Sequence, residues 1–88
     1  MAEPDEGLIE RVKKLIIDRL KLEMAPAAID ADAPLFGAGL GLDSIDALEL
    51  VVGLEQEFKI RIPDQDVGKR VLSSARAIAR YVAETGRW

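Results

Sequence analysis

Residues 41–58 read Gly-Leu-Asp-Ser-Ile-Asp-Ala-Leu-Glu-Leu-Val-Val-Gly-Leu-Glu-Gln-Glu-Phe, a helix with its start signal attached. Asp43 suits the N-cap, because its carboxylate can accept a hydrogen bond from a free N–H of the first turn. Asp46, three residues on, fits the reciprocal partner of a capping box, where Glu or Gln is usual. Ser44 then falls on the first turn with its hydroxyl outward. The apolar residues form two stripes. Ala47, Leu50, Val51, Leu54 and Phe58 lie at i, i+3, i+4, i+7 and i+11, a core-facing pattern. Ile45, Leu48 and Val52 lie at i, i+3 and i+7, rotated to the edge of the first stripe. A small bundle can bury the first stripe but not both. With Asp46, Glu49, Gln56 and Glu57 filling the rest, the expectation is a partly exposed apolar strip ringed by carboxylates, suited to a basic partner. Gly53, mid-helix, costs about 1 kcal/mol relative to Ala, so either a neighbour approaches closely or room is needed beside the core.

Outward from this helix the chain is helical on both sides. Leu8, Val12, Leu15, Ile16 and Leu20 recur at helical spacing, with Ile9 and Ile17 on the flank, and predict a helix over about 5–22. Its Arg and Lys side reads as a solvated face. Residues 23–42 form a connection longer than compact domains usually hold, with Pro26 and Pro34 inside it. Ile29, Leu35 and Phe36 are expected to turn inward and anchor it. Gly37, Gly39 and Gly41 then allow a sharp turn. No Gly-Lys-Ser/Thr follows, so this is not a phosphate-binding P-loop. Asp30 and Asp32 read as turn or cap residues, since a calcium loop needs a fuller oxygen series.

Lys59-Ile60-Arg61-Ile62 alternates like a strand but has none to pair with, so it reads as an extended connector with both isoleucines facing the core. Pro63 opens a short helix ending near Val71. Ser73 is the expected cap of the last helix, with Ala75, Ile78, Ala79 and Val82 inside and Gly86 at its end. Arg76 and Arg80 read as its solvated face. The fold class expected is all-α: a bundle of three longer helices and one short one, one domain over 1–88, with a long first loop.

Composition removes several function classes. The 88 residues carry a net charge of −4, which argues against nucleic acid and anionic membrane surfaces and suits partners with Lys and Arg patches. There is no cysteine, hence no disulfide, thiolate or zinc cluster, and no histidine, hence no common general base. No apolar run approaches a membrane span, and the acidic start lacks signal-peptide character. A cytoplasmic monomer is expected.

Gly41-Leu42-Asp43-Ser44-Ile45-Asp46 resembles the Asp-Ser-Leu signature of acyl carrier proteins, with Ile for Leu. Leu48-Glu49-Leu50-Val51 and the later Phe58 and Ile62-Pro63 match the same family, and the similarity spans nearly the whole chain. The resemblance implies that Ser44 is the attachment point of 4′-phosphopantetheine, received from coenzyme A, with Asp43 beside it. The physics of the position agrees, since a phosphate at a helix N-terminus meets free N–H groups and the positive end of the dipole. Ser44 is not a nucleophile in its own right, because no histidine is present to activate it. The resemblance therefore implies a carrier, not an enzyme, that holds acyl groups as thioesters for fatty acid, polyketide or related lipid biosynthesis.

The expected partners are a phosphopantetheinyl transferase, acyl-loading enzymes, ketosynthases, reductases and acyltransferases, docking through basic patches on Asp43, Ile45, Asp46, Leu48, Glu49 and Val52. Leu50, Leu54, Phe58, Ile62, Ile78 and Tyr81 are core by pattern, and in this family a cargo chain can slip among such residues. An aminoacyl or peptidyl carrier is the nearest alternative, and Asp46 and Glu49 argue for the acyl type. A helical adaptor without a prosthetic group is the alternative from another class. Ile45, the glycine-rich approach and the arginine-rich last helix lean toward a specialised pathway.

Overall fold

The computed structural model describes residues 6–36, 41–63 and 65–85, with Gln65 described by its backbone only. Within them run four α-helices and one 3-10 turn: α1 Glu6–Leu20, the turn Pro26–Ala28, α2 Ser44–Phe58, α3 Gln65–Val71 and α4 Ala75–Thr85. The all-α arrangement of three longer helices and a short one matches the sequence pattern. No strand is formed among the described residues beyond a single bridge between Phe36 and Leu42.

The core is aliphatic. Leu8, Val12 and Ile16 of α1 meet Leu50, Leu54 and Phe58 of α2 and Ile78 and Val82 of α4, all essentially sealed from solvent. Each such side chain contributes about 1.5–3 kcal/mol relative to an exposed position. Ile9, expected on the flank, is buried, whereas Leu20 is only partly so.

α1 ends two residues before the predicted Leu22. Lys21 takes a left-handed φ of 53°, and Leu22 N–H donates to Ile17 O at 3.1 Å, a Schellman-type close that stops the helix. Asp5, its predicted start, lies outside the described residues.

The long connection is tied down as its apolar residues suggest. Ile29 and Leu35 are buried and Phe36 is partly so. Backbone bonds fasten it to the last helix: Arg76 N–H to Ala31 O at 2.9 Å and Leu35 N–H to Ser73 O at 3.2 Å. Asp30 is the turn residue expected, accepting from Asp32 N–H at 2.9 Å. Asp32 in turn holds Arg76 at 2.6 Å, so Arg76 is a tie between loop and helix and not a solvated residue. Arg80, assigned to the same face, is half-buried.

Two further readings change. The cap of α4 is Ser74, whose Oγ accepts from Ala77 N–H at 3.1 Å, while Ser73 Oγ donates to Arg70 O at 3.0 Å. Two adjacent serines gave equivalent local signals, and the bond from Leu35 to the Ser73 carbonyl selects between them. The predicted stop at Gly86 lies outside the described residues. The basic side of α1 is also not simply solvated. Arg11 pairs with Glu57 at 3.4 Å and lies over the Phe58 ring at 5.0 Å, and Arg19 reaches Glu49 at 3.5 Å and Gln56 at 2.8 Å.

The connector after α2 is extended, with Ile60 and Ile62 buried as expected. Lys59 caps α2 in a left-handed conformation. Glu55 then clamps the turn by accepting from Ile62 N–H at 3.0 Å, and Tyr81 OH donates to Arg61 O at 2.6 Å. These two bonds fix Ile62 where it borders the candidate site. No helix of the described residues is long and apolar enough to cross a membrane.

Candidate functional site

The start of α2 is built by its own residues. Asp43 Oδ1 accepts from Ile45 N–H at 3.0 Å and from Asp46 N–H at 3.1 Å. Asp46 Oδ2 accepts in return from Asp43 N–H at 3.1 Å. This is the full reciprocal capping box. Immediately before it, Gly41 holds a φ of 72°, a left-handed turn that a β-carbon would strain. Gly37 and Gly39, assigned to the same approach, lie outside the described residues. Leu42 is then pinned by its N–H to Leu35 O at 3.3 Å and by its bridge to Phe36.

Ser44 is thereby set on the first helical residue, exposed. Asp43 carries the cap, and the Ser44 N–H and hydroxyl make no hydrogen bond to a described residue. An exposed hydroxyl beside an uncommitted N–H, at the positive end of a 15-residue helix, fits a phosphodiester. Among the described residues no group of three or more carboxylates, cysteines or histidines could hold a metal.

Beside Ser44 opens a groove of about 650 Å³. Its apolar walls include Phe36, Leu42, Ala47, Val51, Ile62 and Leu72, with Gly68 and Lys69 from α3 on the far side. Of the six core residues expected to form a cargo pocket, only Ile62 borders this groove. Leu50, Leu54, Phe58 and Ile78 are sealed in the helix interface at 0% exposure, and Tyr81 is committed to Arg61. The reason is angular. Leu50, Leu54 and Phe58 face α1 and α4, while the groove is lined from α2 by Ser44, Ala47, Leu48 and Val51. Those four lie at i, i+3, i+4 and i+7 counted from the serine, a helical face that the sequence displays and that the stripe reading passed over.

The second stripe does stay outside: Ile45 is 78% exposed, Leu48 66% and Val52 39%. Its acidic surround is partly engaged: each carboxylate commits one oxygen within the chain and stays exposed or half-exposed. Asp43 and Asp46 are engaged in the capping box, and Glu49 is paired with Arg19. Arg19 gets there by crossing Gly53: a β-carbon at position 53 would fall 2.8 Å from Arg19 Nε. The close neighbour that Gly53 called for is this side chain.

Residues 10–82 match the family described as phosphopantetheine attachment site. The chain belongs to that family of carrier domains. The domain is therefore the seat of covalent 4′-phosphopantetheine attachment, and it is a carrier rather than a catalyst. Solved structures agree on the fold. The carrier domain is similar to a chain from the complex of an engineered Bradyrhizobium japonicum glycine:[carrier protein] ligase with a carrier protein from Agrobacterium tumefaciens and AMP. The match has 26% identity over 80% of this chain and 91% of the other, with a TM-score of 0.65. The corresponding complex with ATP gives 25% identity over 82% and 91%, with a TM-score of 0.67.

Proposed function

We propose that Ser44 carries the phosphopantetheine arm and that the chain is an acyl carrier protein, presenting acyl groups to enzymes of fatty acid, polyketide or related lipid synthesis. The arm, when bound, supplies a thiol that holds the acyl group as a thioester. The chain's own residues do the remainder. Asp43 and Asp46 hold the first turn in place, so that the Ser44 hydroxyl stands clear of the helix. The Ser44 N–H and the dipole of α2 favour the phosphate once it is attached. With no histidine to act as base, the transferase supplies the group that takes the hydroxyl proton. The exposed strip of Ile45, Leu48 and Val52 is the landing surface for that transferase and for the enzymes that load and unload the arm.

The observation that supports an acyl cargo is the apolar groove next to Ser44. A hydrocarbon chain gains about 0.8 kcal/mol for each methylene it buries there, whereas a glycyl group has no side chain to bury. The aminoacyl reading draws on a different observation, namely that both solved neighbours are described in complexes with a glycine ligase. Loading kinetics separate the two. The phosphopantetheinylated chain is offered to a medium-chain acyl-adenylating ligase and to a glycine:[carrier protein] ligase, and kcat/KM is compared. Preference for the acyl ligase supports the proposal; a preference for glycine of about tenfold, roughly 1.4 kcal/mol, replaces it with the aminoacyl carrier.

A further inference from the structure

Two buried glycines sit inside helices of the described residues, and the packing explains only one. Gly53 of α2 is crossed by Arg19, and a β-carbon there would fall 2.8 Å from its Nε. Gly68, in the middle of the short α3, has no such neighbour. A β-carbon on it would meet, among the described residues, only Ile62 Cγ2 at 3.7 Å, an ordinary van der Waals separation. Nor does the backbone call for a glycine. Gly68 does not take the left-handed turn that Gly41 takes, and its carbonyl accepts from Leu72 N–H at 2.8 Å in regular helical fashion. Glycine is among the poorest helix formers, and nothing in the chain's own packing compensates for it here. The remaining use of a bare backbone is the close approach of a ligand.

Gly68 lines the groove beside Ser44, across from Ala47 and Val51 of α2. It is the only glycine among the described lining residues, so here alone the wall stands back to the main chain.

We propose that Gly68 sets the width of the groove, and with it the bulk of the acyl group sheltered there. The missing β-carbon leaves a recess of about one carbon beside Ile62, which admits a methyl branch of the cargo as well as a straight chain. This rests on the acyl carrier reading above and specifies its cargo. Filling the recess from the protein side excludes the branched cargo first, because overpacking a close-fitting apolar site is unfavourable.

The test loads the full chain directly from acyl-coenzyme A with a broad-specificity phosphopantetheinyl transferase, so that no ligase preference enters. The cargoes are octanoyl and dihydrocitronelloyl, the same straight chain bearing two methyl branches. Shelter is read from thioester cleavage by hydroxylamine, as the rate for the same acyl-pantetheine free in solution divided by the rate on the protein. The parent is compared with Gly68→Ala, Gly68→Leu and Arg70→Leu, the last placing a leucine on α3 at an exposed position outside the groove lining. In the parent both cargoes are expected to react about fivefold more slowly than when free, since only the fraction outside the groove is open to attack. Gly68→Ala should keep the octanoyl factor within about twofold and lose the branched one, Gly68→Leu should lose both, and Arg70→Leu should keep both. The unloaded Gly68→Ala chain should have a urea midpoint no lower than the parent's, because alanine is the better helix former and the recess has room for its methyl. The inference is overturned, with the acyl carrier reading intact, if Gly68→Ala shelters the branched cargo as the parent does or if the parent shelters octanoyl alone. A lowered midpoint in Gly68→Ala also overturns it, by giving the glycine a packing role. A parent that takes the arm but shelters neither cargo removes the groove as a cargo site and the inference with it. No arm on the folded parent removes the carrier reading itself.

Discussion

Arg19 and Gly53 form an energetic unit that a double-mutant cycle can expose. Gly53→Ala alone sets two terms against each other. Replacing a mid-helix glycine by alanine gains about 1 kcal/mol of helix stability. The new β-carbon, however, would fall 2.8, 3.0 and 3.1 Å from Nε, Cγ and Cδ of Arg19. These are atoms from the middle of the side chain, so the whole arginine must lift. Lifting it stretches the bond to Gln56 at 2.8 Å and the pair with Glu49 at 3.5 Å. Both are solvent-accessible contacts contributing about 0.2–1 kcal/mol apiece. The sum predicts that most or all of the gain is offset, leaving Gly53→Ala between about 0.6 kcal/mol more stable and about 1 kcal/mol less stable than the parent. In an Arg19→Ala background the obstruction is gone and the full gain of about 1 kcal/mol should appear, a coupling normal for touching residues. Urea denaturation reads it directly. With a slope of about 1 kcal/mol/M for a small domain, the midpoint should rise by roughly 1 M in the Arg19→Ala background and by about 0.6 M at most, or fall, in the parent. An equal rise in both backgrounds would show that Arg19 does not lie across Gly53.

Other perturbations have simpler outcomes. Leu54→Ala opens a cavity at a fully sealed position and should cost about 2–5 kcal/mol, much of the stability of a small domain, seen as a large drop in thermal midpoint. Lys59→Gly relieves a left-handed residue at the end of α2 and should stabilise by about 0.5–1 kcal/mol, measurable as a rise in the urea midpoint. Asp43→Ala removes both bonds of the cap and should cost about 1 kcal/mol, while Asp43→Asn should retain most of it in the same denaturation series. Tyr81→Phe loses the bond to Arg61 O and should cost about 0.5–1.5 kcal/mol by calorimetry.

What could be read from the sequence is what is encoded locally. The capping box of Asp43 and Asp46 sits three residues apart on one turn, so its geometry follows from helix spacing alone. The buried faces of α1 and α2 follow from the same periodicity, and the resemblance at 41–46 points to the serine. What escaped depends on how helices meet. Arg19 reaches Glu49 and Gln56 with its side chain lying over Gly53, where a β-carbon would stand in its way, and no spacing in either helix announces that. Asp32 and Arg76 are joined across 44 residues by the way the long loop folds back. Ser74, not Ser73, caps α4 because the Ser73 carbonyl receives Leu35. The groove is the instructive case. Ala47, Leu48 and Val51 share Ser44's helical face and were readable by counting from the serine, but Phe36, Leu42 and Leu72 join them only in three dimensions.

These features divide α2 into three roles set by angle around one axis. One face seals the core, a second lines the groove beside Ser44, and a third stands in solvent as Ile45, Leu48 and Val52. On the proposed function, the first face holds the domain together, the second borders the cargo and the third meets the partner enzymes. A 15-residue helix has the circumference to carry all three, with Leu48 on the border between the groove and the exposed strip.

The most direct test of Ser44 as the attachment point is intact mass after incubation of the parent chain with coenzyme A and a broad-specificity phosphopantetheinyl transferase, alongside Ser44→Ala. One phosphopantetheine is expected on the parent and none on the variant. An unmodified parent that is demonstrably folded, with the same transferase modifying a control carrier, or a Ser44→Ala chain that still takes up the arm, would contradict attachment at Ser44.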